Sequence, residues 1–307
     1  MDLSAASLAE HAPAKINLAL HVTGRRPDGF HLIESLAVFT RHGDRVTVAA
    51  APEDSFFASG PFGAEIPLDG GNLVMRARDA LRSLANLHSV RQPQPVSIHL
   101  TKHLPIASGI GGGSSDAAAT LTALNRLCSF GLTSEQLTEI GQQLGADVPM
   151  CLCSSPLIAR GIGEQIEPAA GFPALAMVLV NPGVAVSTPE VFRALASWEN
   201  AGLPPLPLVK RGQLAFGDIC RWLATTRNDL QAPAVSIAPA ISHAIEALTS
   251  AGAGFARMSG SGATCFGLFE TASEAARAAA QIQARQPGWW VVATESIASK
   301  DDAHAPA

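Results

Sequence analysis

Tyrosine is absent from the chain, so any ring that stacks on a ligand must come from its 12 phenylalanines, 4 tryptophans or 9 histidines. Charge is scarce: Asp, Glu, Lys and Arg make up 15% of residues, and 21 basic against 26 acidic side chains leave a net charge of −5. That balance argues against a protein that coats nucleic acid or an anionic membrane, while a local basic pocket stays open. The cysteines, Cys128, Cys151, Cys153, Cys220 and Cys265, are odd in number. Only Cys151 and Cys153 lie close, and their spacing does not match a zinc knuckle. They read as reduced thiols in a cytoplasmic protein, mostly buried as small apolar side chains. Long hydrophobic runs are missing too. The longest clean one, Ala174–Val180, has a strand's length and falls far short of a membrane span. The N-terminus, with Asp2 and Glu10, lacks the basic-then-apolar order of a signal peptide, so none is expected.

What remains is a chain of 307 residues, 47% of them apolar, long enough for two domains whose cores need no disulfide or metal. Ile16, Leu18, Leu20 and Val22 alternate with Lys15, Asn17, Ala19 and His21. That is the period of a half-buried strand, with Lys15, Asn17 and His21 on one face. A turn is expected over Gly24–Gly29, then a strand from Phe30 or His31 to Thr40, another over Arg45–Ala49, and loop over 50–71. Asn72 is placed to cap a helix running to about Leu87, and Val96, Ile98 and Leu100 mark a strand. Ser114–Cys128 reads as a helix, and Thr133 with Gln136 as a capping box for a helix that stops at Gly145. A Gly- and Pro-rich joint follows at 155–173, then a strand at 174–180 and a helix capped at Thr188 with Pro189 first in the helix. From about 238 the order helix, strand, strand, helix, strand suggests a split β-α-β domain.

The strongest feature is the run Leu104-Pro-Ile-Ala-Ser-Gly-Ile-Gly-Gly-Gly-Ser-Ser-Asp116 between a strand and a helix. Its glycines let the backbone approach a ligand and aim several N–H groups at one spot. The helix behind it adds the positive end of its dipole, and Ser114 and Ser115 add hydroxyl donors. The expected guest is a polyphosphate. No Gly-Lys-Ser/Thr closes the run, so it is not a P-loop. Ser114 also stands where a dinucleotide fingerprint needs its third Gly or Ala.

This run resembles the ATP-binding motif of the GHMP kinases, in which a Pro- and Gly-rich stretch ends in Gly-Gly-Gly-Ser-Ser. Pro13-Ala-Lys-Ile-Asn-Leu18 is similar to the first motif of that family and Met258-Ser-Gly-Ser-Gly-Ala-Thr264 to the third, and the resemblance runs from about residue 12 to 295. Asp28-Gly-Phe-His31, Leu144-Gly-Ala-Asp-Val-Pro149 and Asn228-Asp-Leu230 bring the chain closest to those members whose acceptor alcohol carries a cytidine diphosphate. The resemblance implies an α+β chain of two domains, with the active site in the cleft between them. Residues 1–162 would form a ribosomal-S5-domain-2-like domain and 163–307 a ferredoxin-like one. It implies phosphoryl transfer from ATP, with Mg2+, to a small-molecule alcohol. An acceptor of the homoserine or mevalonate type is the alternative within the family.

Kinase chemistry needs an acceptor hydroxyl in line with the γ-phosphate and positive charge beside it. The resemblance implies Lys15 and Asp147 as the catalytic pair, Lys15 supplying charge and Asp147 either taking the hydroxyl proton or orienting it. Pro149 is expected to hold Val148 extended. Pro105, Ile106, Ala107, Ser108, Gly109, Ile110, Gly111, Gly112, Gly113, Ser114 and Ser115 would cradle the nucleotide. Phe30 and Phe192 are expected to cover the two faces of cytosine, His31 to bond its edge, and Asn17 and Thr188 to add polar contacts. Plain packing beside Val191 is an equal reading of Phe192. The chain departs from the family at Ala107-Ser108, where Gly-Ala or Gly-Gly is common, at Phe30 for Tyr, and at Gln231 for Glu. No carboxylate cluster suggests a metal cage, so no metal ligand is assigned. An RNA-binding module is a rival from another class, but the net charge of −5 and the Lys15/Asp147 pair oppose it. The expected partner is a small molecule bearing a cytidine diphosphate, with no nucleic acid or membrane, and the chain is expected to be a monomer or weak homodimer.

Overall fold

The computed structural model describes residues 7–87, 94–207 and 214–299; Asp2 lies outside them. The chain forms two compact units. The first draws on residues up to Ala14, Gly43–Ile106 and Gly111–Cys153, the second on Lys15–His42, Ala107–Ile110 and the chain from Ser154 on. Strands β1 (Ser7–Arg25) and β2 (His31–Ala50) contribute residues to both. This partition is distinct from the sequence halves 1–162 and 163–307.

In the first unit, Arg45–Ala50 of β2 pairs antiparallel with β4 (Val96–Thr101), and β4 pairs parallel with the edge strand β3 (Ser55–Ser59). Val46, Val48, Ile98 and Leu100 are buried at the centre of this ladder. Strand β3 falls inside the stretch expected to be loop. It is five residues of Ser-Phe-Phe-Ala-Ser amid Gly, Pro and Asp, too short and too flanked by turn residues for its pattern to stand out. Helix α1 (Leu73–Leu87) carries the crossover from β3 to β4. Asn72 caps it as expected, its Oδ1 accepting from Val74 N–H at 2.8 Å. Val74, Ala77 and Leu81 make its buried stripe, and it packs on α2 (Gly112–Leu127). Helix α3 (Ser134–Leu144) opens on the Thr133/Gln136 capping box and stops at Gly145. Helix α4 (Val148–Cys153) corrects one expectation. Val148 is its first residue rather than extended, because Pro149 in a first turn loses no intrahelical bond.

β2 is also one continuous strand, not two broken at Arg41–Asp44. A Cβ on Gly43 would lie 2.3 Å from Ala12 O, so glycine here admits a passing backbone rather than a bend.

In the second unit, β1 pairs with β2 across a turn in which Arg26 N–H donates to Phe30 O at 2.7 Å and Gly29 takes φ 93°. The turn therefore starts later than Gly24, and β2 begins at His31. Lys15–Val22 is buried on both faces, not half-buried: Lys15 is 5% exposed, Asn17 2% and His21 0%. The polar side chains sit inside because they find partners there. Asn17 Nδ2 donates to Ser35 Oγ at 2.7 Å, and His21 is held between two backbone groups. Two short strands unread in the joint, β5 (Leu157–Arg160) and β6 (Gln165–Pro168), extend the ladder antiparallel from Ser35–Ala37 of β2.

The rest of this unit is a four-stranded antiparallel sheet of β7 (Ala176–Asn181), β8 (Phe255–Met258), β9 (Cys265–Phe269) and β10 (Trp290–Glu295), in the order β10-β7-β9-β8. Its helices are α5 (Thr188–Arg193), α6 (Phe216–Ala224), α7 (Gln231–Ile237), α8 (Ala240–Ser250) and α9 (Ala272–Arg285). Every residue of β7 is buried, which is why its sequence is an unbroken apolar run. Ile241, Ala244 and Leu248 of α8 and Ala275, Ala278 and Ile282 of α9 share one core with Val178, Val180 and Cys265. Strand β7, then α8-β8-β9-α9-β10, is the split β-α-β order. Helix α5 starts at Thr188 with Ser187 in the capping position and Pro189 behind it, one residue earlier than expected.

His21 gives the fold an acid-sensitive joint. Arg227 N–H donates to its Nε2 at 2.8 Å, so Nδ1–H donates to Ala201 O at 3.0 Å, and both bonds together require the neutral ring. Burial lowers its pKa below the usual 6.5, partly offset by the Ala201 carbonyl. The unfolded chain therefore takes up the proton first, and stability present above about pH 6.5 is lost as pH falls below it. Urea midpoints measured at pH 7.5 and 5.5 should drop on acidification, and His21→Gln should narrow the drop.

Candidate active site

The second unit brings two glycine-rich segments into backbone contact. Thr264 N–H donates to Ser108 O at 3.1 Å, and Ser259 Oγ donates to Gly109 O at 3.1 Å. A Cβ on Gly109 would lie 2.6 Å from Ser259 O, and one on Gly260 would lie 2.7 Å from Gly109 O. Gly109 and Gly260 also take φ of 76° and 56°, so glycine is needed twice over, for space and for conformation. β1 is tied to the same place: Lys15 N–H donates to Ile110 O at 2.8 Å, and Asn17 N–H to Ser259 Oγ at 3.0 Å. Asn228 holds the other side of the 258–264 loop. Its Nδ2 donates to Met258 O and to Gly260 O, both at 2.8 Å, while its Oδ1 accepts from Leu230 N–H at 3.0 Å. Asp229, next in line, accepts Val22 N–H at 2.8 Å and Arg227 Nε at 2.9 Å.

In the first unit, Gly111 (φ 65°) stands before α2, which has no side-chain cap. The amides of Gly112, Gly113 and Ser114 fall in the first turn, where N–H groups have no intrahelical acceptor. Ser115 is committed to the helix by its N–H, which donates to Gly111 O at 2.9 Å; its Oγ is buried without a hydrogen-bond partner. Below the helix start lies a buried trio that the sequence reading missed. Lys102 Nζ donates to Asp44 Oδ2 at 2.5 Å and to Asp116 Oδ2 at 2.6 Å. Asp44 Oδ1 also accepts His103 N–H at 2.6 Å and Leu104 N–H at 2.9 Å, which fixes where the glycine run begins. The only sequence cue was that Lys102 and Asp116 bracket that run.

The other assigned residues fall as follows. In the run itself Ile106 and Ala107 are exposed, Pro105 and Ser108 are buried, and Ile110 is fully buried as an apolar anchor. Ala107 takes φ 49°, a left-handed conformation that costs an L-residue roughly 1–2 kcal/mol and explains why glycine is common there. Lys15 is buried, with its backbone on Ile110. Asp147 precedes α4, and its carbonyl accepts the helix's Cys151 N–H at 3.1 Å. Asn17 is buried with its amide committed to Ser35. The His31 and Phe192 rings stack at 4.8 Å and 24°, while Phe30 is 59% exposed. Thr188 Oγ1 lies 2.7 Å from Ser261 Oγ, joining the start of α5 to the 258–264 loop. Burial lowers the His31 pKa from 6.5, and the nearby Arg25 charge lowers it further, so the ring is neutral at pH 7 with one donor and one acceptor nitrogen. Among the described residues no helix is long and apolar enough to cross a membrane.

Residues 72–155 match the model of the GHMP kinases N terminal domain, and residues 208–288 that of the GHMP kinases C terminal. The chain is 56% identical over 300 residues to the 4-diphosphocytidyl-2-C-methyl-D-erythritol kinase of Mesorhizobium japonicum, covering 98% of this chain and 99% of the relative. It is 53% identical to the protein of the same name from Brucella abortus, with 96% and 97% covered. A crystal structure of 4-(cytidine 5'-diphospho)-2C-methyl-D-erythritol kinase superposes with a TM-score of 0.75 at 33% identity, over 94% of this chain and all of that one. A homoserine kinase from Cytophaga hutchinsonii shares the fold, with a TM-score of 0.67 at 16% identity and 98% of each chain covered.

Asn228 is the clearest test of how the 258–264 loop is held. Asn228→Ala leaves two buried carbonyls without their donor and should cost about 1–3 kcal/mol in chemical denaturation. Asn228→Asp, which points a carboxylate at the same two oxygens, should cost more than Ala.

Proposed function

The chain belongs to the GHMP kinase family, and on that premise we propose that it transfers the γ-phosphate of ATP to the 2-hydroxyl of 4-diphosphocytidyl-2-C-methyl-D-erythritol. The products are the 2-phosphate and ADP, a step of the non-mevalonate route to isoprenoid precursors. The observation that carries this reading is the identity of more than half the residues, over nearly the whole length, with kinases of that name. The motifs that resemble those members stand beside it: Phe30-His31 after Asp28-Gly29, with Phe in place of the common Tyr, and Asn228-Asp229, with Gln231 in place of Glu.

The run 105–115 is the nucleotide cradle in this reading. Its open amides at Gly112–Ser114 and the dipole of α2 suit a polyphosphate, which needs no lysine of the P-loop kind there. When bound, Mg2+ would supply positive charge to the phosphates of ATP. Lys15 supplies positive charge to the transferring group. Asp147 accepts the hydrogen bond of the acceptor hydroxyl and orients it for attack. The cytosine is read by rings and one imidazole. Phe30, exposed in the free protein, closes on one face of the base, and Phe192 covers the other. The neutral His31 presents a donor and an acceptor to an edge that has both. Thr188 and Asn17 complete the acceptor site. The division at 162/163 stands as our assignment of catalytic and substrate-closing domains, with the two family matches on either side of it. We assign the enzyme to the cytoplasm, acting as a monomer or weak homodimer on a small molecule, without nucleic acid or membrane.

A panel of acceptor alcohols with MgATP, read by ADP release, tests the assignment. Turnover is expected with the cytidine-linked tetritol and not with homoserine or mevalonate. Lys15→Ala and Asp147→Ala should each lower kcat by about 10²–10⁴-fold, the range of a positioned acid–base group, while ATP still binds. Near-full rates in both variants would remove these two residues from the mechanism.

A further inference from the structure

The buried trio beneath α2 holds one cation and two carboxylates, and the carboxylates are not equivalent. The Lys102, Asp44 and Asp116 side chains are 3%, 0% and 3% exposed. Asp44 receives Lys102 on one oxygen and the His103 and Leu104 amides on the other. Asp116 receives Lys102 on Oδ2, and its Oδ1 has no hydrogen-bond partner. A buried carboxylate with three donors is stabilised as an anion; one with a single donor is not, and is the one that takes a proton. Fully ionised, the trio carries a net charge of −1 out of water.

Its position matters more than its charge alone. A Cβ on Gly112 would lie 3.1 Å from Lys102 Nζ and 3.7 Å from Asp44 Oδ2, so the trio presses against the residue that opens α2. Asp116 sits one turn further along the same helix. A polyphosphate at the first-turn amides of α2 would bring negative charge to the doorstep of a buried site that is already negative. We propose that nucleotide binding is proton-coupled at this trio: as the polyphosphate occupies the start of α2, Asp116 takes up a proton from solvent onto Oδ1, and the charge beneath the loop moves from −1 toward zero. The step forms one O–H bond, breaks one in the donor water or buffer acid, and needs no other reactant. This inference rests on the nucleotide reading of the run 105–115.

The surroundings leave Asp116 answering to few charges. Lys102 faces it from β4 and Asp44 from β2. On α1, Arg76 is exposed, Arg78 pairs with Asp79 and Asp54, and Arg82 pairs with Asp54. Glu135 and Glu139 of α3 are exposed, α4 offers only the thiols Cys151 and Cys153, and His103 lies at the start of the run. Burial pushes the Asp116 carboxyl up to about 7, against the pull of Lys102 and with the Asp44 charge adding to the rise. Burial opposes the Lys102 charge, but the two carboxylates outweigh it and hold that ammonium above its usual pKa. The free protein is therefore poised where a modest push changes its proton content.

Calorimetric titration of the intact protein with MgADP, whose phosphates are fully ionised at pH 7.5, tests this. The titration is run at that pH in phosphate and in Tris, buffers with very different ionisation enthalpies. A one-unit upward shift from about 7 corresponds to uptake of roughly half a proton per nucleotide. The binding enthalpy should thus differ between the buffers, and affinity should weaken several-fold from pH 7 to 9. Asp116→Asn, neutral at every pH, should bind with equal enthalpy in both buffers and lose the pH dependence. A purely structural Asp116 would change thermal stability and leave the buffer difference intact. Should the variant fail to fold, the wild-type comparison decides alone. Tight binding with equal enthalpies, or undiminished proton uptake in Asp116→Asn, overturns the coupling while sparing the nucleotide reading; absence of nucleotide binding overturns both.

Discussion

Two stretches of main chain can approach as closely as Gly109 and Gly260 do only where neither carries a Cβ, and that constraint organises this part of the second unit. Gly109 and Gly260 meet backbone to backbone, and every neighbouring polar group is arranged to keep them there. Ser259 bridges β1 and the Gly109 carbonyl, Asn228 pins the Met258 and Gly260 carbonyls, and Asn181 Nδ2 donates to Thr264 Oγ1 at 2.9 Å. The bonds are single contacts between uncharged groups, each worth about 0.5–1.5 kcal/mol net. Together with the bond from Lys15 N–H to Ile110 O they tie β1, the 258–264 loop and residues 108–110 into one backbone arrangement.

The first unit solves a different problem. A helix whose N-terminus must receive an outside anion cannot spend its first-turn amides on a cap, and α2 has none. Its start must be fixed from below instead. Lys102 and Asp44 do this, one reaching the helix through Asp116 and the other taking the two amides at the entry to the glycine run. A buried ion cluster is weak evidence of stability, because desolvation offsets much of the attraction. Here it is better understood as a device that sets geometry and local charge at the start of α2, where we propose that the nucleotide arrives.

Much of this was legible in the residues. The glycine run, the capping box at Thr133, the cap at Asn72, the all-apolar β7 and the order of the last elements follow from local chemistry that tertiary context did not override. What stayed hidden shares a cause. Lys15, Asn17 and His21 alternate with apolar residues like a solvated face, yet each is buried, and the His21 ring meets the Ala201 carbonyl and the Arg227 amide, 180 and 206 residues away. Arg257 is another case: its guanidinium is buried among the carbonyls of Leu18, Leu223 and Thr226, none of them near it in sequence. Asp44 lay between the two stretches expected to be strands. The motif residues Asn228 and Asp229 were visible as a pattern, but their work on the 258–264 loop and on β1 is a matter of register that no spacing rule contains.

The central claim is that residues 105–115 grip the phosphates of ATP through main-chain amides. Amide hydrogen exchange, followed with and without a non-hydrolysable ATP analogue and Mg2+, reads those amides directly. Slowed exchange centred on peptides spanning 108–115, with the β10 amides unchanged, is the result this account predicts. A protein saturated with the analogue whose 105–115 amides exchange at their unliganded rate would contradict it.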